Sequence, residues 1–326
     1  MSNFWQRIVT AAIAIPILYV IFRIGGGIFL LFIMALVLTG QIEYQRLLQS
    51  RSLPYARGSG IILSLLIAIA AYKGYVDFSL MFTLSVLLVF IFNLRKTGEE
   101  SAIIRGGATL FGIVYLGWLL CHAILLRGID ARGSIGFYAE SAQGLADPGF
   151  FFIFFTVACT VLNDTGAYYT GLKLGKRKIA PVISPGKTVE GTLGGVIVCI
   201  VTGLIVNYGF GSPLSSDWTI LFAIFVSAAA VFGDLVESAI KRGVGIKDSG
   251  ARVPGHGGVL DRFDSLILFR PRLLFHARRR RRLRAFHFQN EAVLISSTCS
   301  CLISILRPTS ITRLNKSPVS AANCSL

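Results

Sequence analysis

The chain has 326 residues, 54% of them hydrophobic and 15% charged, with a mean hydropathy of +0.69. A soluble domain carries about a quarter charged residues, so the composition sets a soluble fold aside and indicates a polytopic membrane protein. The formal net charge of +16 is uneven, with 11 basic residues and one acid from Arg270 onward, against 21 basic and 15 acidic before it; so modest an excess in the main body fits membrane topology and an anionic substrate, and no nucleic-acid partner is expected.

Arg7 ahead of the apolar stretch Ile8–Phe22 imitates a signal peptide. It lacks a convincing small-residue cleavage site and further apolar segments follow, so it reads as a retained first helix. Apolar runs then recur at Ile28–Leu38, Gly60–Tyr72, Phe78–Leu94, Ala108–Leu126, Phe150–Leu162, Gly191–Tyr208 and Trp218–Ile240. Several fall short of the ~20 residues that a perpendicular span needs, which leaves boundaries open. The first two runs, parted by Gly25-Gly26-Gly27, read either as one broken helix or as a tight hairpin. The fold class predicted is all-α, a polytopic integral membrane protein of about eight transmembrane helices.

Placing the N-terminus in the cytoplasm puts 17 Lys and Arg in the inside segments and 4, Arg23, Lys73, Arg127 and Arg132, in the outside ones. Cytoplasmic loops carry the excess of basic residues, so this orientation is expected. It brings the polar stretches Asp164–Glu190 and Lys241–Asp264 to the cytoplasmic side. Three regions are predicted: N-terminal transmembrane helices over 1–130, a membrane catalytic region over 131–268, and an atypical basic tail over 269–326. In the tail Arg270, Arg272 and Arg278–Arg282 interrupt what should be one more apolar helix, and Ser/Thr/Cys-rich sequence follows. A basic extension touching anionic lipid is one reading; an altered reading frame is the other, favoured by the abrupt change of composition in mid-helix. Cys121, Cys159 and Cys199 sit singly in apolar runs and read as small buried hydrophobes. Cys299, Cys301 and Cys324 have no zinc-ligand spacing.

The polar residues concentrate from Val231 to Asp264. Asp234, Glu237, Ser238 and Lys241 recur at the spacing of one helix face. Gly243 and Gly245, then Pro254, Gly255, Gly257 and Gly258, supply backbone able to fold tightly round a ligand. Ionisable groups beside a bilayer are expensive and mark function by default. Asp234, Asp248, Asp261 and Asp264 are hard oxygen donors of the kind that hold magnesium with a substrate phosphate; salt bridges to Lys241, Arg242 and Arg262 are the plainer alternative. No His-Glu-x-x-His or paired Cys/His spacing suggests zinc, and His122 reads as a helix-end packing residue. Upstream, Asp164 within Asn163-Asp164-Thr165-Gly166 is either a functional carboxylate at the membrane edge or a cap for the next helix. The Gly186-Lys187-Thr188 step resembles part of a nucleotide P-loop, but Pro181 stands where the earlier glycine belongs and no strand is expected before it. Thr188 reads as a helix N-terminus, beside which Lys187 could bind phosphate or simply be solvated.

Taken together, Ser238-x-x-Lys241-Arg242-x4-Lys247-Asp248 and Pro254-Gly255-His256-Gly257-Gly258-x-x-Asp261-Arg262-x-Asp264 resemble the signature of the phosphatidate cytidylyltransferase (CDP-diacylglycerol synthase) family. The blocks at Asn163–Tyr168 and Ser184–Gly191 are similar to that family's in the same order, so the resemblance spans Asn163 to Asp264. It implies transfer from CTP to phosphatidate, giving CDP-diacylglycerol and pyrophosphate, with Mg2+ as cofactor. By resemblance, Asp234 and Asp261 are the first metal ligands, followed by Asp248 and Asp264. Lys241, Arg242, Lys247, Lys187 and Arg262 would hold phosphates. Ser238 belongs to the substrate-binding set, His256 with Gly257 and Gly258 would shape the nucleotide loop, and Asp164 would support the metal or the ribose. A homodimer is a further expectation, as is an active site facing the cytoplasm. A CTP-dependent polyprenol or phytol kinase is the alternative within the same architecture, and a membrane transporter the alternative of another class. The tail departs from the family, whose members continue after the final Asp with an apolar helix.

Overall fold

In a bilayer only internal hydrogen bonding satisfies the backbone, so apolar runs of this length fold as helices. The computed structural model describes residues 3–94, 99–129 and 147–245. They form α1 (Asn3–Ile24), α2 (Gly26–Gln49), α3 (Arg57–Lys73), α4 (Tyr75–Leu94), α5 (Glu99–Gly112), a π-helical segment (Ile113–Leu119), α6 (Leu120–Arg127), α7 (Pro148–Leu174), α8 (Val189–Gly209) and α9 (Ser216–Gly243). Because α5, the π segment and α6 run on without a break, the described residues contain eight helical runs, the number expected. Six are long and apolar enough to cross a membrane. The protein is an all-α, multi-pass integral membrane protein.

The break between α1 and α2 makes them two helices. Gly25 and Gly26 have φ of 66° and 53°, the left-handed region that glycine adopts without a Cβ penalty. A Cβ on Gly25 would also lie 2.6 Å from the Arg127 guanidinium. That guanidinium is a hub. Its Nε donates to the Phe22 carbonyl at 2.7 Å, one Nη to the Arg23 carbonyl at 3.1 Å, and both Nη atoms to the Asp147 carboxylate at 2.9 and 2.7 Å. It thereby satisfies carbonyls at the end of α1 that have no intrahelical partner. Asp147 in turn accepts from the Phe150 amide at 3.0 Å and caps α7, with Pro148 in the first turn.

The π segment marks a second junction. Gln41 of α2 is fully buried; its Nε2 donates to Ser64 Oγ at 2.7 Å and to the Gly112 carbonyl at 3.0 Å, and its Oε1 accepts from the Tyr55 hydroxyl at 2.7 Å. Burial pushes the Tyr55 phenol up, which keeps it a donor. His122 in α6 is a packing residue, as expected: it is buried, with Nδ1 2.8 Å from the Trp118 carbonyl and its ring edge-on to Phe78.

Helices α7 and α8 pack most closely. Their contact uses small residues, which in a membrane allow backbones to approach. A Cβ on Gly166 would lie 2.7 Å from Val198, and one on Gly195 2.9 Å from Asn163 Oδ1. Cys121, Cys159 and Cys199 are buried free thiols. Leu193, Ile197, Val201 and Ile205 leave an exposed apolar stripe along α8, as lipid contact requires. Between α7 and α8 lies a feature the sequence reading omits: β1 (Lys178–Ala180) and β2 (Ser184–Thr188) form an antiparallel hairpin pairing Lys178 with Thr188 and Ala180 with Ser184. The expectation that no strand precedes Lys187 is therefore corrected. It failed because the strands are only three and five residues long, and Pro181 and Pro185 argue against a strand.

Candidate active site

The site is assembled where α9 emerges from its apolar run. Asp234, Glu237, Ser238 and Lys241 lie on one face, as the spacing predicts, and they contact one another in pairs. Ser238 Oγ donates to Asp234 Oδ1 at 3.3 Å, and Lys241 Nζ lies 3.2 Å from Glu237 Oε1. Glu237 is only 1% exposed, so its charge requires a counter-charge close by; Lys241 one turn on provides it. Asp234 is more open, with its side chain 40% exposed, and is able to meet a solute.

The hairpin brings the second component. Thr188 caps α8 by accepting from the Gly191 amide at 3.1 Å, confirming the predicted N-terminus. Glu190, in the first turn, accepts from the backbone amides of Lys176 at 3.0 Å and Arg177 at 3.1 Å. The Val189 amide donates to the Arg177 carbonyl at 2.9 Å. So anchored, β2 projects Lys187 onto α9, where Nζ stands 2.5 Å from Asp234 Oδ2 and 3.4 Å from the Val231 carbonyl. Arg242 Nε donates to the Ile183 carbonyl at 3.4 Å, giving hairpin and helix a second link. Over 173–190 and 234–242 seven basic side chains face three acidic ones, a balance that attracts an anion.

Asp164 is not a helix cap, because α7 continues ten residues beyond it, to Leu174. It accepts from Asn163 Nδ2 at 3.2 Å, while Asn163 Oδ1 accepts from Ser227 Oγ at 2.5 Å. Ser227 lies seven residues, about 10 Å of helical rise, before Asp234. The α7–α9 contact is thus made by Asn163, two turns from the Lys187–Asp234 pair, and the exposed Asp164 is bonded to it from the same helix.

The geometry brings together Asp234, Ser238, Lys241, Arg242 and Lys187 of the sequence-predicted set. Lys247, Asp248, His256, Gly257, Gly258, Asp261, Arg262 and Asp264 lie outside the described residues, as does the basic tail. Two contributors carried no assigned role: Glu190, which orders the hairpin, and Glu237. An acid in the first turn of a helix, behind a Lys-Arg-Lys run, was the available signal for Glu190. For Glu237 it was membership of the Asp234–Lys241 face.

Residues 5–278 match the cytidylyltransferase family. The chain is 34% identical over 258 residues to a phosphatidate cytidylyltransferase of Bacillus subtilis, covering 74% of this chain and 90% of that one. It is 31% identical to a phosphatidate cytidylyltransferase of Staphylococcus haemolyticus, covering 82% and 96%, and 32% identical to the chloroplastic phosphatidate cytidylyltransferase 5 of Arabidopsis thaliana, covering 74% and 64%. The match contains the whole of the hairpin, α9 and the stretch to Asp264, and on that extent the chain belongs to the cytidylyltransferase family.

Proposed function

We propose that this membrane protein is a phosphatidate cytidylyltransferase, making CDP-diacylglycerol and pyrophosphate from CTP and phosphatidate. The observation that carries the reading is the Lys187–Asp234 pair at the end of α9, within a chain that matches the family over 5–278. It supplies a cation for phosphate and a hard carboxylate beside an apolar bundle, where a lipid and a water-soluble nucleotide can meet.

In the reaction a phosphate oxygen of phosphatidate forms a bond to the α-phosphorus of CTP. The bond from that phosphorus to the bridging oxygen breaks, and pyrophosphate leaves with the electron pair. The nucleophile is already an anion, so no general base is needed. Lys187, Lys241 and Arg242 hold phosphate oxygens and offset their charge. Magnesium fits the donor set: Asp234 is a partly exposed carboxylate with Ser238 hydroxyl beside it, and this ion is bound by one or two carboxylates with substrate phosphates and water. When bound it supplies neutralisation of the crowded oxygens around the reacting phosphorus. Asp261 is the proposed second ligand.

A cytoplasmic site is part of the proposal. Its support is the 17 to 4 distribution of Lys and Arg, together with the placement of Arg51 beside Val244 at one end of the bundle and of Arg23 beside Arg127 at the other.

The test is incorporation of radiolabelled CTP into lipid by membranes containing the full chain, phosphatidate and Mg2+, with Asp234→Ala alongside. Phosphatidate-dependent label in a CDP-lipid, released pyrophosphate and loss of both in the variant are expected. Release of CDP with phosphorylation of an added polyprenol would replace the reading with a lipid kinase.

A further inference from the structure

The helix that carries the candidate site ends against a residue from the other side of the sequence. Arg51 Nε donates to the Val244 carbonyl at 2.8 Å, across 193 positions. The contact falls in the last turn of α9, two residues beyond Arg242. That turn closes through the Val244 amide on the Ile240 carbonyl at 3.1 Å and the Gly245 amide on the Arg242 carbonyl at 2.9 Å. Gly245 has φ of 68°, the left-handed conformation that ends helices, and the Arg51 guanidinium fills the space where its Cβ would stand.

Arg51 is itself held. It sits in a Schellman turn at the end of α2, in which the Leu53 amide donates to the Leu48 carbonyl at 3.0 Å and the Ser52 amide to the Gln49 carbonyl at 3.0 Å. Ser52 takes the left-handed conformation, φ 55°, as that motif demands. A cation is thereby delivered to the negative end of the α9 dipole, which both its charge and its N–H suit.

We infer that Arg51 is a positioning residue for the candidate site: it locks the C-terminal turn of α9 and with it the placement of Lys241 and Arg242. The N-terminal helices then contribute to the chemistry as well as to insertion. The inference rests on the proposed cytidylyltransferase reading only for its catalytic consequence, because the lock is a property of the helix end.

The test uses the full-length protein in nanodiscs, as wild type, Arg51→Ala and Arg51→Lys, followed by amide hydrogen exchange and steady-state kinetics. In Arg51→Ala the Val244 and Gly245 amides exchange roughly tenfold faster, while those of α7 and α8 stay unchanged, as for a local opening. The kcat falls roughly 10- to 100-fold, the range for a misplacement remote from the chemistry, and KM for CTP rises with it because Lys241 and Arg242 shift. Added guanidinium ion restores part of the rate to Arg51→Ala, and Arg51→Lys retains an intermediate rate because it keeps the charge but not the Nε donor. A raised KM with unchanged kcat would overturn the inference in favour of direct phosphate binding. Unchanged exchange would overturn it outright. Faster exchange in a protein whose wild type transfers nothing from CTP would uphold the lock and sink the functional reading instead.

Discussion

Lys187 and Asp234 hold each other at 2.5 Å with side chains 22% and 40% exposed. A partly exposed pair of this kind contributes at most about 1 kcal/mol to stability, so its value lies in placing charge. Lys187→Met should lower the rate of CTP incorporation roughly 100-fold, with a raised KM for CTP, since the proposed charge-assisted contact to phosphate would be lost. The unfolding temperature should move by no more than about 2 °C. Parallel kinetics and thermal unfolding check this, and a large loss of stability without a kinetic defect would assign Lys187 to the fold. The two residues were legible in the sequence because each carries a charge in a pattern, one on a helical face and the other beside a helix N-terminus. Arg51 was not. It counted only as one more basic residue in a loop, because its partner is a backbone carbonyl 193 positions away, and no spacing rule reports such a contact. Glu190 escaped for the same reason, its partners being the amides of Lys176 and Arg177.

Among the elements, the hairpin and the π segment show what hydropathy conveys and what it omits. Eight apolar runs gave the helix count, because burial in lipid dictates helices. Their ends, left open by hydropathy, fall beyond the apolar run where polar residues continue a helix, as in α7, which outruns its apolar stretch by 12 residues, to Leu174. There Asn163 is kept in the helix by its bond from Ser227, a tertiary cause outside any local window. The hairpin depends on Glu190, and Glu190→Ala should reduce kcat roughly tenfold by freeing β2 and shifting Lys187. Glu190→Gln, still able to accept from one amide, should lose less. A comparison of both variants by the CTP assay decides; equal and full activity would make the hairpin a passive connection. The π segment depends on Gln41. Gln41→Leu keeps the volume but leaves the Gly112 carbonyl, Ser64 and Tyr55 without that partner, at a cost of about 2–3 kcal/mol. Denaturant unfolding in detergent measures it.

Across the whole molecule, the two ends of the bundle have separate tasks. Arg127 and Asp147 join α1, α6 and α7 at one end, while α7 reaches Leu174 near the hairpin. Twenty-seven helical residues amount to about 40 Å, so the hub is a membrane's thickness from Lys187. Arg127 has a side chain only 12% exposed, and removing it leaves a carboxylate without its main counter-charge and the Phe22 carbonyl without its donor. Arg127→Ala should therefore destabilise the protein by roughly 3 kcal/mol. Arg127→Lys should recover little, since an ammonium cannot reproduce the bidentate fork together with the two carbonyl contacts. The rate per folded molecule should be unchanged in both, because among the described residues the hub touches none of those that would hold CTP. Unfolding of purified protein gives the first quantity, and activity normalised to the folded fraction gives the second. A fall in normalised rate would mean that strain at the hub reaches α9 through the helices. Intact stability would mean that the packing of α1 against α7, through Tyr19, Phe150 and Phe154, holds that end without the ion pair.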